Sequence, residues 1–141
     1  ASQRNVISGN DQFGIIIRGN CAADTVVGNY IGTDYSGSSI LRNGWDGVRL
    51  FSAGASNTVI QGNWIGVDVT GSSALGNAQT GVEVGSPGNL IGGAAPGARN
   101  IISANASSGV WLAGARNRSA AAASQAACRE LTTSCTSQAR R

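Results

Sequence analysis

Residues 29–47, NYIGTDYSGSSILRNGWDG, recur as residues 63–81, NWIGVDVTGSSALGNAQTG, at an offset of 34 with no slippage. Asn29 answers to Asn63, Ile31 to Ile65, Gly32 to Gly66 and Asp34 to Asp68. Gly37 then answers to Gly71, Leu41 to Leu75, Asn43 to Asn77 and Gly47 to Gly81. Self-similarity at a fixed period of this size is the mark of stacked repeats, because one repeat alone cannot bury its apolar face. A second correspondence joins the two ends: RNVISGN (4–10) matches RNIISAN (99–105), and FGIIIRG (13–19) matches SGVWLAG (108–114).

Four segments begin with Gly and then alternate apolar and outward residues: GIII at 14, GVRL at 47, GVEV at 81 and GVWL at 109. Period-two alternation is the signature of a half-buried strand. Between them lie TVVGNYIG (25–32), NTVIQGNWIG (57–66) and NLIGG (89–93), so strands of four to six residues are expected. No intervening stretch carries a 3.6-residue apolar period, which removes the helical crossovers a βαβ sheet requires. Strand length alone allows a sandwich of hairpins. Equivalent residues at one offset favour identical strands stacked in register. The chain therefore reads as all-β, a right-handed parallel β-helix of about four coils with three strands per coil. Inward columns follow: Ile15, Val48, Val82 and Val110 in one, and Ile17, Leu50, Val84 and Leu112 in the next. Asn29 and Asn63 are expected at turns, hydrogen-bonding along the stack, since Asn accepts left-handed backbone and bonds nearby peptide groups.

Composition agrees with this. Gly supplies 21 of 141 residues, about twice the usual ~7 %, and evenly spaced glycines fit many tight turns. The 13-residue span Gly66–Ala78 and its copy at 32–44 are too long for tight turns. They are expected to protrude, each on a small apolar foot, Leu41 or Leu75.

The repeats span residues 1–116, and residues 117–141 break the pattern. From Ser119 to Leu131 the chain is Ala-rich, and Ser119 suits a helix N-cap. One reading is a short helix closing the exposed coil end, whose strand edges would otherwise be free to pair. The other is a disordered or artefactual end. The chain begins at Ala1 in mid-motif, with no initiator Met and no signal peptide, and reads as a piece of a longer protein.

Charge limits the partners. There are ten basic residues, all Arg, with no Lys, His or Met, and the net charge is +3. Arg116, Arg118, Arg129, Arg140 and Arg141 lie at the C-terminal end. Arg4, Arg18, Arg42, Arg49 and Arg99 are balanced in the repeats by Asp11, Asp24, Asp34, Asp46, Asp68 and Glu83. A nucleic-acid binder would carry a basic stripe on the folded part, and none is evident. No stretch reaches the ~18 apolar residues of a membrane helix. Cys21, Cys128 and Cys135 form neither a disulfide framework nor a CxxC zinc pair; a Cys128–Cys135 bridge is allowed but not required.

RNVISGN, GNYIGTDYSG with LRNGWDGV, GNWIGVDVTGSSALGN and NLIGGAAPGARNIISAN together resemble the repeats of right-handed parallel β-helix proteins found in large secreted or surface-anchored bacterial proteins. The resemblance covers residues 4–114. It departs at Val67 for Thr33, at Arg42 for Gly76 and throughout the tail. It implies an extracellular or cell-surface location and a stalk, adhesive or polysaccharide-interacting role. It implies no catalytic activity, because a fold does not fix a function.

Two kinds of site are then in view. For catalysis, proteins of this fold often act on acidic polysaccharides, and hydrolysis needs converging carboxylates. Without His or Lys, a lyase base would fall to Arg or Tyr, and Arg scarcely titrates. Asp34 and Asp68 are the carboxylates stacked by the repeat, roughly 5 Å apart across adjacent coils. They could share a calcium ion with loop carbonyls, or each could close its own Asx turn. The nonapeptide signature of calcium-binding β-rolls is missing. For binding, the outward row of the Gly-led strands is Ile16, Arg49, Glu83 and Trp111. Arg49 and Glu83 should pair across the ladder, for well under ~1 kcal/mol if exposed. Trp111 beside them is a platform for a sugar ring. Tyr30 and Trp64 form a second aromatic pair, as a sugar platform or as packing under the adjacent loop. Asn105 and Asn117 head Asn-x-Ser sequons, relevant only in a glycosylating host.

The expected role is a non-catalytic extracellular structural or binding module with no cofactor, contacting polysaccharide through Trp111, Tyr30, Trp64, Arg49 and Glu83. A carbohydrate-active enzyme using Asp34 and Asp68, or Glu83 with Arg49, is the second reading. End-to-end self-association of open coil ends into fibres is the third.

Overall fold

The computed structural model describes residues 4–120. Twelve strands follow one another: β1 (Val6–Ile7), β2 (Ile15–Arg18), β3 (Thr25–Val27), β4 (Tyr30–Ile31), β5 (Val48–Phe51), β6 (Val59–Gln61), β7 (Trp64–Ile65), β8 (Val82–Val84), β9 (Leu90–Gly92), β10 (Ile101–Ile102), β11 (Val110–Leu112) and β12 (Arg118–Ala120). Every third strand returns to the same sheet. The three sheets run β1-β4-β7-β10, β2-β5-β8-β11 and β3-β6-β9-β12, and every pairing is parallel. The chain is a parallel β-helix of about four coils. Its strands are shorter than the four to six residues expected, two in β1 and four at most in β2. Each face of a three-sided coil ends in a corner after a few residues.

The repeat offsets set the register. Ile15 pairs with Val48, Val48 with Val82 and Val82 with Val110, while Ile17, Leu50, Val84 and Leu112 form the neighbouring column. The other two sheets supply Ile7, Ile31, Ile65 and Ile102 in one column and Val26, Ile60 and Ile91 in another. Together they enclose one apolar core. Val48, Leu50, Ile60, Ile65, Val82, Val84 and Ile91 are fully buried, while Ile15, Ile17, Val110 and Leu112 of the outer coils are only half covered. That gradient is what a stack of neighbour-dependent coils predicts.

Side-chain amides run beside the core at the corners. Asn5 donates to Asn29 Oδ1, Asn29 to Asn63 Oδ1 and Asn63 to Asn100 Oδ1, at 2.9, 3.0 and 3.1 Å. A second ladder joins Asn10, Asn43, Asn77 and Asn105, and a third joins Asn89 to Asn117. The stacking expected of Asn29 and Asn63 is present, but not through left-handed Asn. The positive φ falls on the preceding residues, 74° at Gly28 and 65° at Gly62. The Asn is buried and bonds the coil above it.

The 13-residue spans are small antiparallel folds, closed by bridges Thr33–Ile40 and Val67–Ala74. They stack through the Val69 N–H donating to the Gly37 carbonyl at 2.9 Å. Leu75 is a buried foot, whereas Leu41 rests against Gly9 and stays half exposed.

The C-terminal expectation needs correction at its start. Asn117 belongs to the third ladder, and Ser119 lies in β12 opposite Ile91, so it caps no helix. The pairing signal is in the sequence at an offset of 28, where GVEVGSPGN (81–89) aligns with GVWLAGARN (109–117). Residues 121–141, with Cys128, Cys135 and the remainder of the expected helix, lie outside the described residues.

Candidate functional site

The outer face of the β2-β5-β8-β11 sheet carries the main concentration of charged and aromatic side chains. Register places Ile16, Arg49, Glu83 and Trp111 in one outward row across four coils. Arg49 Nη2 meets Glu83 Oε1 at 3.0 Å, the cross-ladder pair expected from the sequence. Arg49 Nη1 also lies 3.5 Å from Asp46 Oδ2, and the guanidinium sits between two rings, 5.2 Å from the Phe13 centroid and 5.4 Å from that of Phe51. Phe13 packs edge-on against Trp45 at 5.0 Å.

Sequence reasoning missed Asp46. Residues three apart on an extended strand point to opposite faces, so nothing in the alternation joins Asp46 to Arg49. The corner at Gly47 turns them to the same side. Asp46 is completely buried; its Oδ1 accepts the Thr80 N–H at 2.9 Å, and its Oδ2 accepts no hydrogen bond. Burial pushes the Glu83 carboxyl above its ordinary range, the charge of Asp46 adds to that, and Arg49 opposes it. Chemically this is one cation held by two acids; the Arg49 and Glu83 side chains each reach solvent in part, 25 % and 19 % exposed, while Asp46 is enclosed.

Trp111 is 47 % exposed on edge strand β11, in register with Glu83. Tyr30 and Trp64 lie on a different sheet, β1-β4-β7-β10. Their rings meet edge-to-face at 6.0 Å, and Arg4 covers them at 4.7 and 5.8 Å. A Cβ at Gly71 would stand 3.4 Å from Trp64 Cζ3, so the loop lies on the indole. These two rings pack; they are not brought to the Arg49–Glu83–Trp111 row.

Asp34 and Asp68 are turned into their own loops. Asp34 accepts from the Ser36 hydroxyl and the Ser38 and Ser39 N–H groups. The Ser36 hydroxyl, with support from the backbone donors, lowers its pKa. Asp68 accepts the Ser72 and Ser73 N–H groups at 2.8 and 3.0 Å and the Thr70 hydroxyl at 2.8 Å. Led by the Ser73 N–H, these bring its carboxyl to about 2 from 3.8. A shared cation would compete with all of those donors, and no group of three or more His, Cys, Asp or Glu suited to a metal occurs among the described residues. Because hydrogen bonds to the charged form depress the folded pKa, Asp68 supports the fold above its unfolded pKa, and that support fades as pH falls toward about 2. Asp68→Asn is expected to lower the denaturation midpoint at neutral pH, with wild type and variant converging in strong acid. Equal stabilities at neutral pH would contradict this role.

The sequons are occupied structurally. Asn105 Nδ2 donates to the Ser103 carbonyl and Asn117 Nδ2 to the Ser86 and Gly114 carbonyls, so the folded chain spends both amides in its ladders. No helix among the described residues is long and apolar enough to cross a membrane. No family model, curated protein or solved structure matches the chain.

Proposed function

We propose that this chain is a non-catalytic binding segment of an extracellular bacterial β-helix protein, and that it contacts polysaccharide through the outer face of the β2-β5-β8-β11 sheet. The observation that carries this reading is the exposed Trp111 indole fixed in register beside the Glu83 carboxyl on a stiff sheet. An aromatic face and an adjacent acceptor are the two things a pyranose needs, one for its C–H face and one for its hydroxyls. The parallel sheet sets their spacing before any ligand arrives, which lowers the ordering cost of binding. Extracellular placement is supported by the resemblance of the repeats.

Binding is favoured over hydrolysis by the burial of Asp46. A two-carboxylate mechanism needs both groups at the sugar, and Asp46 is enclosed behind Arg49 with one oxygen on a backbone N–H.

Trp111→Ala is expected to weaken retardation in polysaccharide affinity gels about tenfold, the loss of about 1.4 kcal/mol of stacking. Its thermal midpoint should hardly move, because the indole lies outside the core. Reducing ends released by the wild-type chain from the same polymers would instead establish an enzyme.

A further inference from the structure

Resting on that reading, we infer that the Trp111–Glu83 face selects neutral, hydroxyl-rich glycans and discriminates against uronate polymers. An acidic sugar needs an available cation, and the cation at this site is already taken. Arg49 is held by Glu83 at Nη2, by Asp46 at Nη1, and by the Phe13 and Phe51 rings. The only other cation on the strands of this sheet is Arg18. It lies on β2, two strands from Glu83 and two residues along the ladder, about 12 Å away by the sheet's spacings. Two acids against one Arg leave the immediate site without positive charge to offer.

What faces solvent next to Trp111 is the Glu83 carboxyl, an acceptor for sugar hydroxyl donors and a like charge to a uronate. Asp46 lies behind it, completely buried, and adds to that repulsion through a medium that screens poorly. Burial first and then the Asp46 charge raise the Glu83 pKa, against the opposing pull of Arg49. Phe51, more than half exposed, stands two residues along β5 from Arg49 and two coils from Trp111. It offers a second apolar surface roughly 12 Å from the indole by the sheet's spacings, so the preferred occupant is a chain of sugars rather than one ring.

The test is affinity electrophoresis of the full chain in gels of hydroxyethyl cellulose and galactan, and of carboxymethyl cellulose and polygalacturonate. Salt at about 0.15 M screens attraction of the polymers to distant arginines, and Trp111→Ala run alongside isolates retardation due to this face. Trp111-dependent retardation at least tenfold stronger in the neutral gels is expected. Glu83→Gln should weaken the neutral interaction several-fold and narrow the gap between neutral and acidic polymers. Equal or stronger Trp111-dependent retardation by the acidic polymers would overturn the charge selection and leave polysaccharide binding standing. A Glu83→Gln chain that behaves as wild type in all four gels would overturn the role of Glu83. Retardation in none would remove the binding reading itself, and this inference with it.

Discussion

Asn63→Ala is expected to cost about 3–5 kcal/mol of folding stability, a large share of the 5–15 kcal/mol typical of a whole domain. Asn63 is completely buried inside a ladder of four Asn side chains. Its Oδ1 takes the Asn29 backbone N–H at 2.9 Å and the Asn29 amide at 3.0 Å. Its Nδ2 gives to the Val26 carbonyl at 2.7 Å, with longer contacts to the Gln61 carbonyl and Asn100 Oδ1. Ala removes all of these and returns none, so the buried Asn29 N–H loses its acceptor where water cannot replace it. Each orphaned group costs about 1–3 kcal/mol, which makes the sum. Urea unfolding followed by circular dichroism reads it directly. A loss under about 1 kcal/mol would mean that the coils do not depend on their rungs.

What the sequence made legible follows from how a solenoid is coded. Inward strand positions repeat at the coil length and alternate with period two, so the pairings Ile15–Val48–Val82 and Ile17–Leu50–Val84 could be written down before any coordinates. The Arg49–Glu83 pair came from the same register. The corners were harder. Asp46 reaches Arg49 because the backbone turns at Gly47, and no periodicity reports a turn. The rings of Phe13 and Phe51 stand over Arg49 for the same reason, one before a corner and one at a strand end. Asp34 and Asp68 mislead in the other direction: the repeat stacks them, yet each carboxylate is spent on N–H groups four and five residues further along its own loop. Ser119 reads as a helix cap beside its alanines, but locally ambiguous residues are overruled by Asn117, which locks the segment onto Asn89.

Gly81→Ala is expected to cost about 3 kcal/mol, at the upper end for a single added methyl, and Gly109→Ala to fall within about 0.5 kcal/mol of wild type. Gly14, Gly47, Gly81 and Gly109, which lead the strands, are not among the residues of positive φ. Space explains them instead. A Cβ at Gly81 would lie 2.6 Å from Ile102 Cγ2, 2.7 Å from Asn105 Nδ2 and 2.7 Å from the Gly109 carbonyl oxygen. The first is a core side chain, the second a ladder rung and the third the backbone of the next coil, so no single neighbour can yield without moving the others. Gly47 meets the same three kinds of atom one coil below. Gly109 has no described coil above it, and its Cβ would find only Ile102 Cγ2 at 3.9 Å. The pair therefore separates two explanations by urea unfolding. If glycine were needed for its backbone freedom, both substitutions would destabilise alike; if it is needed for the closeness of the next coil, only Gly81→Ala will.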